Sequence, residues 1–245
     1  MFHTPRLFLV SALVLSLIGA GSVARAAVPN PVTAEAVAKQ IDTQLRGCLD
    51  FDGLKVTVVP CDDKACAGQG HFQTIEVTCD AARVQQFAFR DFHVKASDVT
   101  LDLDKLFADK PAVKRLPGGG QTTICGKVLE ADMNALLKDN HSAWIRNSGL
   151  KNMTVKFTEG AITFAGDAKQ LLGAHVEVTG GIKVHDASLM DFVPTGAKVN
   201  EIPVPIVLVK DLLSKFNPLY NFADLPLSPT IETVTISTGY ILVQG

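Results

Sequence analysis

The stretch from Met153 to His185 confines the chain to few folds, because its apolar and polar residues alternate with a period of two and glycines interrupt the alternation. Met153, Val155, Phe157, Ile162, Phe164, Val176, Val178, Ile182 and Val184 fall on one face. Thr154, Lys156, Thr163, His175, Glu177, Thr179, Lys183 and His185 fall on the other. Successive side chains of a strand point to opposite sides of its sheet, so the pattern describes antiparallel strands wet on one face and covered on the other. Three segments carry it: MTVKF-TEG-AITFAG, AHVEVT-GG-IKVHD and, near the end, TVTIST-GY-ILVQG. Each reads as a hairpin in which Gly160, the Gly180-Gly181 pair or Gly239 supplies the positive φ of a tight turn.

A sheet with one apolar face needs a cover, and the sequence offers three amphipathic helices. Thr33 to Leu45 stacks Val37, Ile41 and Leu45 at i, i+4 and i+8 ahead of Gly47. Leu129 to Asp139 sets Leu129, Met133, Leu136 and Leu137 opposite Glu130, Asp132 and Lys138. The third lies in EIPVPIVLVKDLLSKF, residues 201–216, where Pro203 and Pro205 exclude a central strand and Pro205 suits the first turn of a helix. From Ile206 onward Val209, Leu212, Leu213 and Phe216 recur opposite Lys210, Asp211, Ser214 and Lys215, and Pro218 ends the helix. Upstream, FAFRDFHVKASDVTLDLDKLF alternates with Phe87, Phe89, Val94, Val99, Leu101 and Leu103 inward, and slips between Phe92 and Val94 where a bulge is expected. These elements predict an α+β fold in which a long curved antiparallel sheet wraps amphipathic helices.

The first 26 residues stand apart: Arg6, an apolar core from Leu7 to Ile18, Gly19 and Gly21, then Ala24-Arg25-Ala26. That is the make-up of a secretory signal, and its core falls short of the roughly 20 residues that span a bilayer. The expected product is an exported protein of the periplasm or cell envelope with a single domain over 27–245, comprising an N-terminal helix and cysteine-bearing hairpin (32–80) and the sheet with its helices (81–245). Its balance of 21 basic against 25 acidic residues makes nucleic acid a poor partner. The five cysteines allow two disulfides and one thiol in an oxidising compartment. Cys61 and Cys66 flank the polar loop of a hairpin made by LKVTVV and HFQTIEVT and are the first expected pair. Cys79 returns beside the end of the first helix and is expected to pair with Cys48, leaving Cys125 as a buried thiol.

Catalytic signatures are missing. No G-x-S-x-G or H-E-x-x-H occurs, and His71, His93, His141, His175 and His185 are scattered. Asp102 and Asp104 share a strand face but are too few for calcium or zinc; Asp104 reads instead as the cap of the KLF turn. LPGGGQTTICGK lacks the spacing and the Ser or Thr of a phosphate cradle and reads as a flexible turn. The chain is therefore read as a binding protein rather than an enzyme, with no cofactor and no metal. Trp144 reads either as a loop aromatic or as an interfacial anchor, and Asn140 and Asn152 begin N-x-[ST] sequons.

The order of VKASDVTLDLDKLF, CGKVLEADMNALLKD, LKNMTVKFTEGAITFAGDAKQLLGAHVEVTGGIKV, IPVPIVLVKDLLSKFNPL and DLPLSPTIETVTISTGYILVQG resembles the bacterial LmeA family of phospholipid-binding proteins over about residues 70–245. The resemblance implies an extracytoplasmic, TULIP-like protein in which a curved sheet around a long helix leaves a groove for acyl chains. In mycobacteria the family is linked to phosphatidylinositol-type lipids and lipoglycan elongation. The cysteine-bearing hairpin of residues 48–79 departs from the family pattern.

Two readings follow. In the first, the chain holds a phospholipid or other acyl lipid, touches membranes transiently, and lines its groove with Phe157, Phe164, Val176, Val178, Ile182 and Val184 from the sheet and Val209, Leu212, Leu213 and Phe216 from the helix. Each methylene withdrawn from water contributes about 0.8 kcal/mol, so one long chain contributes on the order of 10 kcal/mol before the costs of association. In the second, the same side chains close on each other as the core of a structural or protein-interaction domain.

Overall fold

The computed structural model describes residues 28–29, 31–48, 50–62, 64–84, 87–108, 112–138, 149–209, 217–225 and 227–245. The signal segment, Asn140, His141 and Trp144 lie outside them. Helix α1 (Ala34–Cys48) forms on the expected spacing and continues through Gly47, with Val37, Ile41 and Leu45 buried. It is followed by β1 (Asp50–Asp52), β2 (Lys55–Pro60), the short α2 (Lys64–Gly68), β3 (His71–Val84), β4 (Phe87–Thr100), α3 (Leu103–Leu106), β5 (Thr122–Leu129) and α4 (Glu130–Lys138). The second half contributes β6 (Leu150–Thr158), β7 (Ala161–Ala168), β8 (Ala174–His185), β9 (Leu189–Val199), β10 (Ile202–Val204), β11 (Tyr220–Asn221), β12 (Thr233–Ser237) and β13 (Tyr240–Gln244).

The architecture is α+β and antiparallel, but the strands form two sheets rather than one long sheet. The first runs β1-β3-β4-β5-β13-β12 with β2 also on β3, and the second runs β10-β9-β8-β7-β6 with β11 also on β9. The division has a local cause at β6. There the Asn134 side-chain amide of α4 donates to the Val155 carbonyl (2.8 Å) and accepts from the Val155 N–H (2.9 Å), while Glu130 accepts from the Phe157 N–H (2.6 Å). With these groups taken, the sheet does not continue past β6, and an edge that would otherwise invite another strand is closed. The C-terminal hairpin goes instead to the first sheet, where β13 pairs with β5. Its strand and turn touch the β6–β7 turn and β6 through Gly160 N–H to Ile236 O (3.0 Å) and Gly239 N–H to Phe157 O (3.3 Å).

Several local expectations are revised. The Gly180-Gly181 pair is not a hairpin turn, because β8 runs straight through it and the pairing with β9 shifts between Thr179 and Gly180. A Cβ on Gly180 would strike the Val193 carbonyl oxygen and the Phe192 ring, so glycine is required there for close approach beside a bulge. Gly160 and Gly239 do take positive φ, at 72° and 86°, in true hairpin turns. In β4 the slip sits at Asp91, with φ 50°, and a second at Asp98, with φ 48°. Phe92, Val94 and Ala96 consequently stay buried in one phase. The turn of α3 is capped by Asp102, which accepts from the Lys105 N–H (3.0 Å), and not by Asp104. Pro203 sits in β10, which pairs with β9 alone, an edge position where a missing N–H costs nothing.

Replacing Asn134 by Ala leaves both Val155 backbone groups without these partners. A loss of about 1–3 kcal/mol in urea unfolding is expected, with Asn134→Asp intermediate because it keeps the acceptor.

Candidate functional site

The predicted apolar face exists, and its burial is graded. Phe157, Val176 and Val178 are sealed in the core, while Phe164, Ile182 and Val184 are half-buried against it. The Phe164 ring packs edge-on to Phe192 at 5.2 Å and 83°. A purely apolar gap of about 20 Å³ lies where this face meets α4 and the first sheet, lined by Phe157, Phe164, Ile182, Met133, Phe87 and Leu219 among others. That is room for about one water molecule. Of the expected helix, the described part is a single 3-10 turn, Ile206–Val209, resting on β9 with Ile206 against the core. The side chains of Val209, Leu212, Leu213 and Phe216 lie outside the described residues. Ile202, Val207 and Leu208, around that turn, are 67%, 69% and 67% exposed. Three large apolar side chains thus stand exposed close together in the chain. Sequence reasoning gave the helix a polar outer side, at Lys210, Asp211, Ser214 and Lys215, and did not single out Ile202, Val207 and Leu208 as exposed.

A roomier cleft lies elsewhere. It measures about 390 Å³ and is lined by Asp50, Asp52, Arg83, Arg90 and Asp132 with Phe51, Phe89 and Leu136. Arg90 makes a two-pronged ion pair to Asp132 at 2.7 and 3.0 Å, tying β4 to α4. The arginine hydrogen bonds hold the Asp132 carboxyl below the usual carboxylate range, against a smaller opposing effect of burial. With three carboxylates against two guanidiniums, the cleft does not collect anions, and its polar walls do not suit an acyl chain. The smaller apolar gap is therefore the better candidate for a hydrocarbon ligand, despite its size.

On the wet faces His71, His93, His175 and His185 each sit beside a carboxylate: Asp98, Glu76, Asp167 and Asp191, at 2.6, 2.8, 3.0 and 3.3 Å. These are cross-strand pairs of the ordinary kind. The Asp167 carboxyl is lowered by the His175 and Asn152 hydrogen bonds.

An apolar, half-open sheet face with a neighbouring apolar knuckle agrees with what comparison of the whole chain finds, since the LmeA-like phospholipid-binding model matches residues 29–245. The chain belongs to the LmeA-like phospholipid-binding family. The match takes in α1 and the cysteine-bearing hairpin, which sequence reading had set apart as a departure. Neither curated proteins nor solved structures gave a match. Among the described residues of this family member, no helix is long and apolar enough to cross a membrane.

The cysteines are arranged differently from expectation in part. Cys79 is a free, buried thiol, pushed up to about 12 by burial with smaller contributions from Asp80 and Asp52, and the side chain of its expected partner Cys48 lies outside the described residues. Cys125 is free as expected, though half-buried rather than buried. The donor atoms of Cys61, Cys66 and His71 all lie within 4.8 Å of one another. The sequence treated His71 as one of several scattered histidines, although its spacing from Cys61 and Cys66 was visible.

Because the Asp132 carboxyl is held low in the folded state, its stabilising contribution is present at neutral pH and lost as the pH falls through that lowered value. Arg90→Gln is expected to cost up to about 1 kcal/mol at neutral pH, and the difference from wild type is expected to close as the pH drops below about 3.9. Urea midpoints measured against pH check it.

Proposed function

We propose that this protein holds phospholipid by its acyl chains outside the cytoplasm, in a TULIP-like manner, and carries it to or from a membrane. The chains lie against the half-open end of the second sheet, at Phe164, Ile182 and Val184, and the turn Ile206–Val209 rides over them. Ile202, Val207 and Leu208 enter the bilayer surface while lipid is exchanged. The observation that carries this reading is the gradient of burial along one apolar face, sealed at Phe157 and half-open at Ile182 and Val184, next to an exposed apolar knuckle. Nothing in the site requires bond chemistry, and the protein acts as a binder. The gap of about 20 Å³ is far smaller than an acyl chain, so uptake displaces the Ile206–Val209 turn from β9.

The tight burial of Phe157, Val176 and Val178, at 2%, 2% and 4% exposure, favours the second reading, a packed structural domain of the envelope. The two separate on what the protein carries. Mass spectrometry of organic extracts of protein purified from its native envelope is expected to return stoichiometric phospholipid; none would leave the packed domain.

Two variants follow from the geometry. Val207→Asp with Leu208→Asp is expected to abolish sedimentation with phospholipid vesicles while shifting stability by no more than about 0.5 kcal/mol, because both side chains face solvent. Ile182→Phe fills the gap and is expected to block uptake of a fluorescent acyl lipid at a cost of about 1–3 kcal/mol, leaving a folded protein.

A further inference from the structure

The hairpin of β2 and β3 gathers three donor groups that the lipid site does not use. Pro60 pairs with Phe72, which sets Cys61 beside His71 across the hairpin, and the Cys61 Sγ lies 3.6 Å from the His71 carbonyl oxygen. The α2 turn then folds Cys66 back toward both, so that two sulfurs and an imidazole nitrogen come within 4.8 Å of one another, all half-buried. A tetrahedral zinc with bonds of about 2.3 Å to sulfur and about 2.0 Å to nitrogen holds its donors roughly 3.5–3.8 Å apart. The three groups therefore need about 1 Å of adjustment, within reach of a five-residue turn.

A second observation points the same way. His71 Nε2 lies 2.6 Å from Asp98 Oδ1. A carboxylate on one ring nitrogen fixes the orientation of an imidazole and raises the basicity of the other nitrogen, the arrangement that habitually stands behind a metal-bound histidine. With Nε2 engaged, Nδ1 is the nitrogen open to a metal.

We propose that Cys61, Cys66 and His71 bind one zinc ion, with Asp98 positioning the imidazole and water completing the fourth position. Two thiolates and an imidazole suit a thiophilic ion rather than calcium or magnesium. Each cysteine releases its proton on binding, so two protons leave and the pair of thiolates balances the charge of the ion. The site is independent of the lipid reading and stands or falls separately, since it lies on the first sheet.

The test uses the reduced, full exported chain and zinc or cobalt(II) as the only added metals. One equivalent of zinc is expected by calorimetry, one equivalent of cobalt(II) is expected to show a thiolate-to-metal charge-transfer band, and zinc is expected to shield Cys61 and Cys66 from alkylation in the wild type. Cys61→Ser, Cys66→Ser and His71→Gln are expected to lose stoichiometric binding, and Asp98→Asn to weaken it roughly 10–100-fold. Cys125→Ser is expected to bind as wild type does. Either of two results overturns the site: absence of one-to-one uptake and shielding in reduced wild type, or a Cys61–Cys66 disulfide in protein isolated from its own envelope. The wild-type alkylation pattern decides the matter even where a variant fails to fold.

Discussion

Phe87 and Phe89 of β4 meet Tyr220 and Phe222 across the interior, with the Phe87 and Tyr220 rings 5.6 Å apart at 89° and the Phe89 and Phe222 rings 6.3 Å apart at 71°. Tyr220 belongs to β11, which pairs with Met190 of β9, so the cluster joins the first sheet to the second. Neither sheet can bury its apolar face alone, and each such aromatic pair adds about 0.5–1.5 kcal/mol beyond the area it removes from water. Where the two faces are held against each other by this cluster, the core is sealed. Val176 and Val178 of β8 are sealed as well, whereas Ile182 and Val184, across from Phe192 and Met190, are only half-covered.

On the reading proposed above, that gradient makes a binding face out of ordinary core chemistry. The same aliphatic and aromatic side chains serve either purpose, and what distinguishes them is whether protein finishes the covering. The polar features act as fixtures around this interior. Asn134 and Glu130 end the second sheet at β6, and Asn217 plays a related part at β9, donating to the Phe192 carbonyl and accepting from its N–H at 2.9 Å each. Phe192 sits between the stretches of β9 that pair with β10 and β11, so the asparagine amide supplies the backbone partner that neither short strand reaches. The thiol and imidazole cluster belongs to the first sheet, and the half-open apolar face to the second.

Much of this was legible in the residues themselves. Period-two alternation found β6, β7, β12 and β13 and assigned their faces, because a strand has only two sides. The spacing of Val37, Ile41 and Leu45 found α1 for the corresponding reason in a helix. The Gly180-Gly181 pair misled, since glycine is chosen both for turns and for places where backbone and rings crowd, and only the position of Phe192 tells the two apart. β9 was not visible at all: Pro194 and Gly196 interrupt it, and Pro194 is tolerated because it falls at the register shift opposite Gly180.

The sequence by itself determined which side of each strand is apolar, where the chain reverses at Gly160 and Gly239, and that a cover was needed, all of which depend on neighbours a few residues apart. Only the tertiary structure decided that the strands divide into two sheets, that the C-terminal hairpin joins β5, that the apolar face closes at Phe157 but not at Val184, and that His71 faces Cys61 and Cys66. Those outcomes turn on contacts between residues far apart in the chain, where the same short patterns are compatible with several pairings and packing alone selects among them.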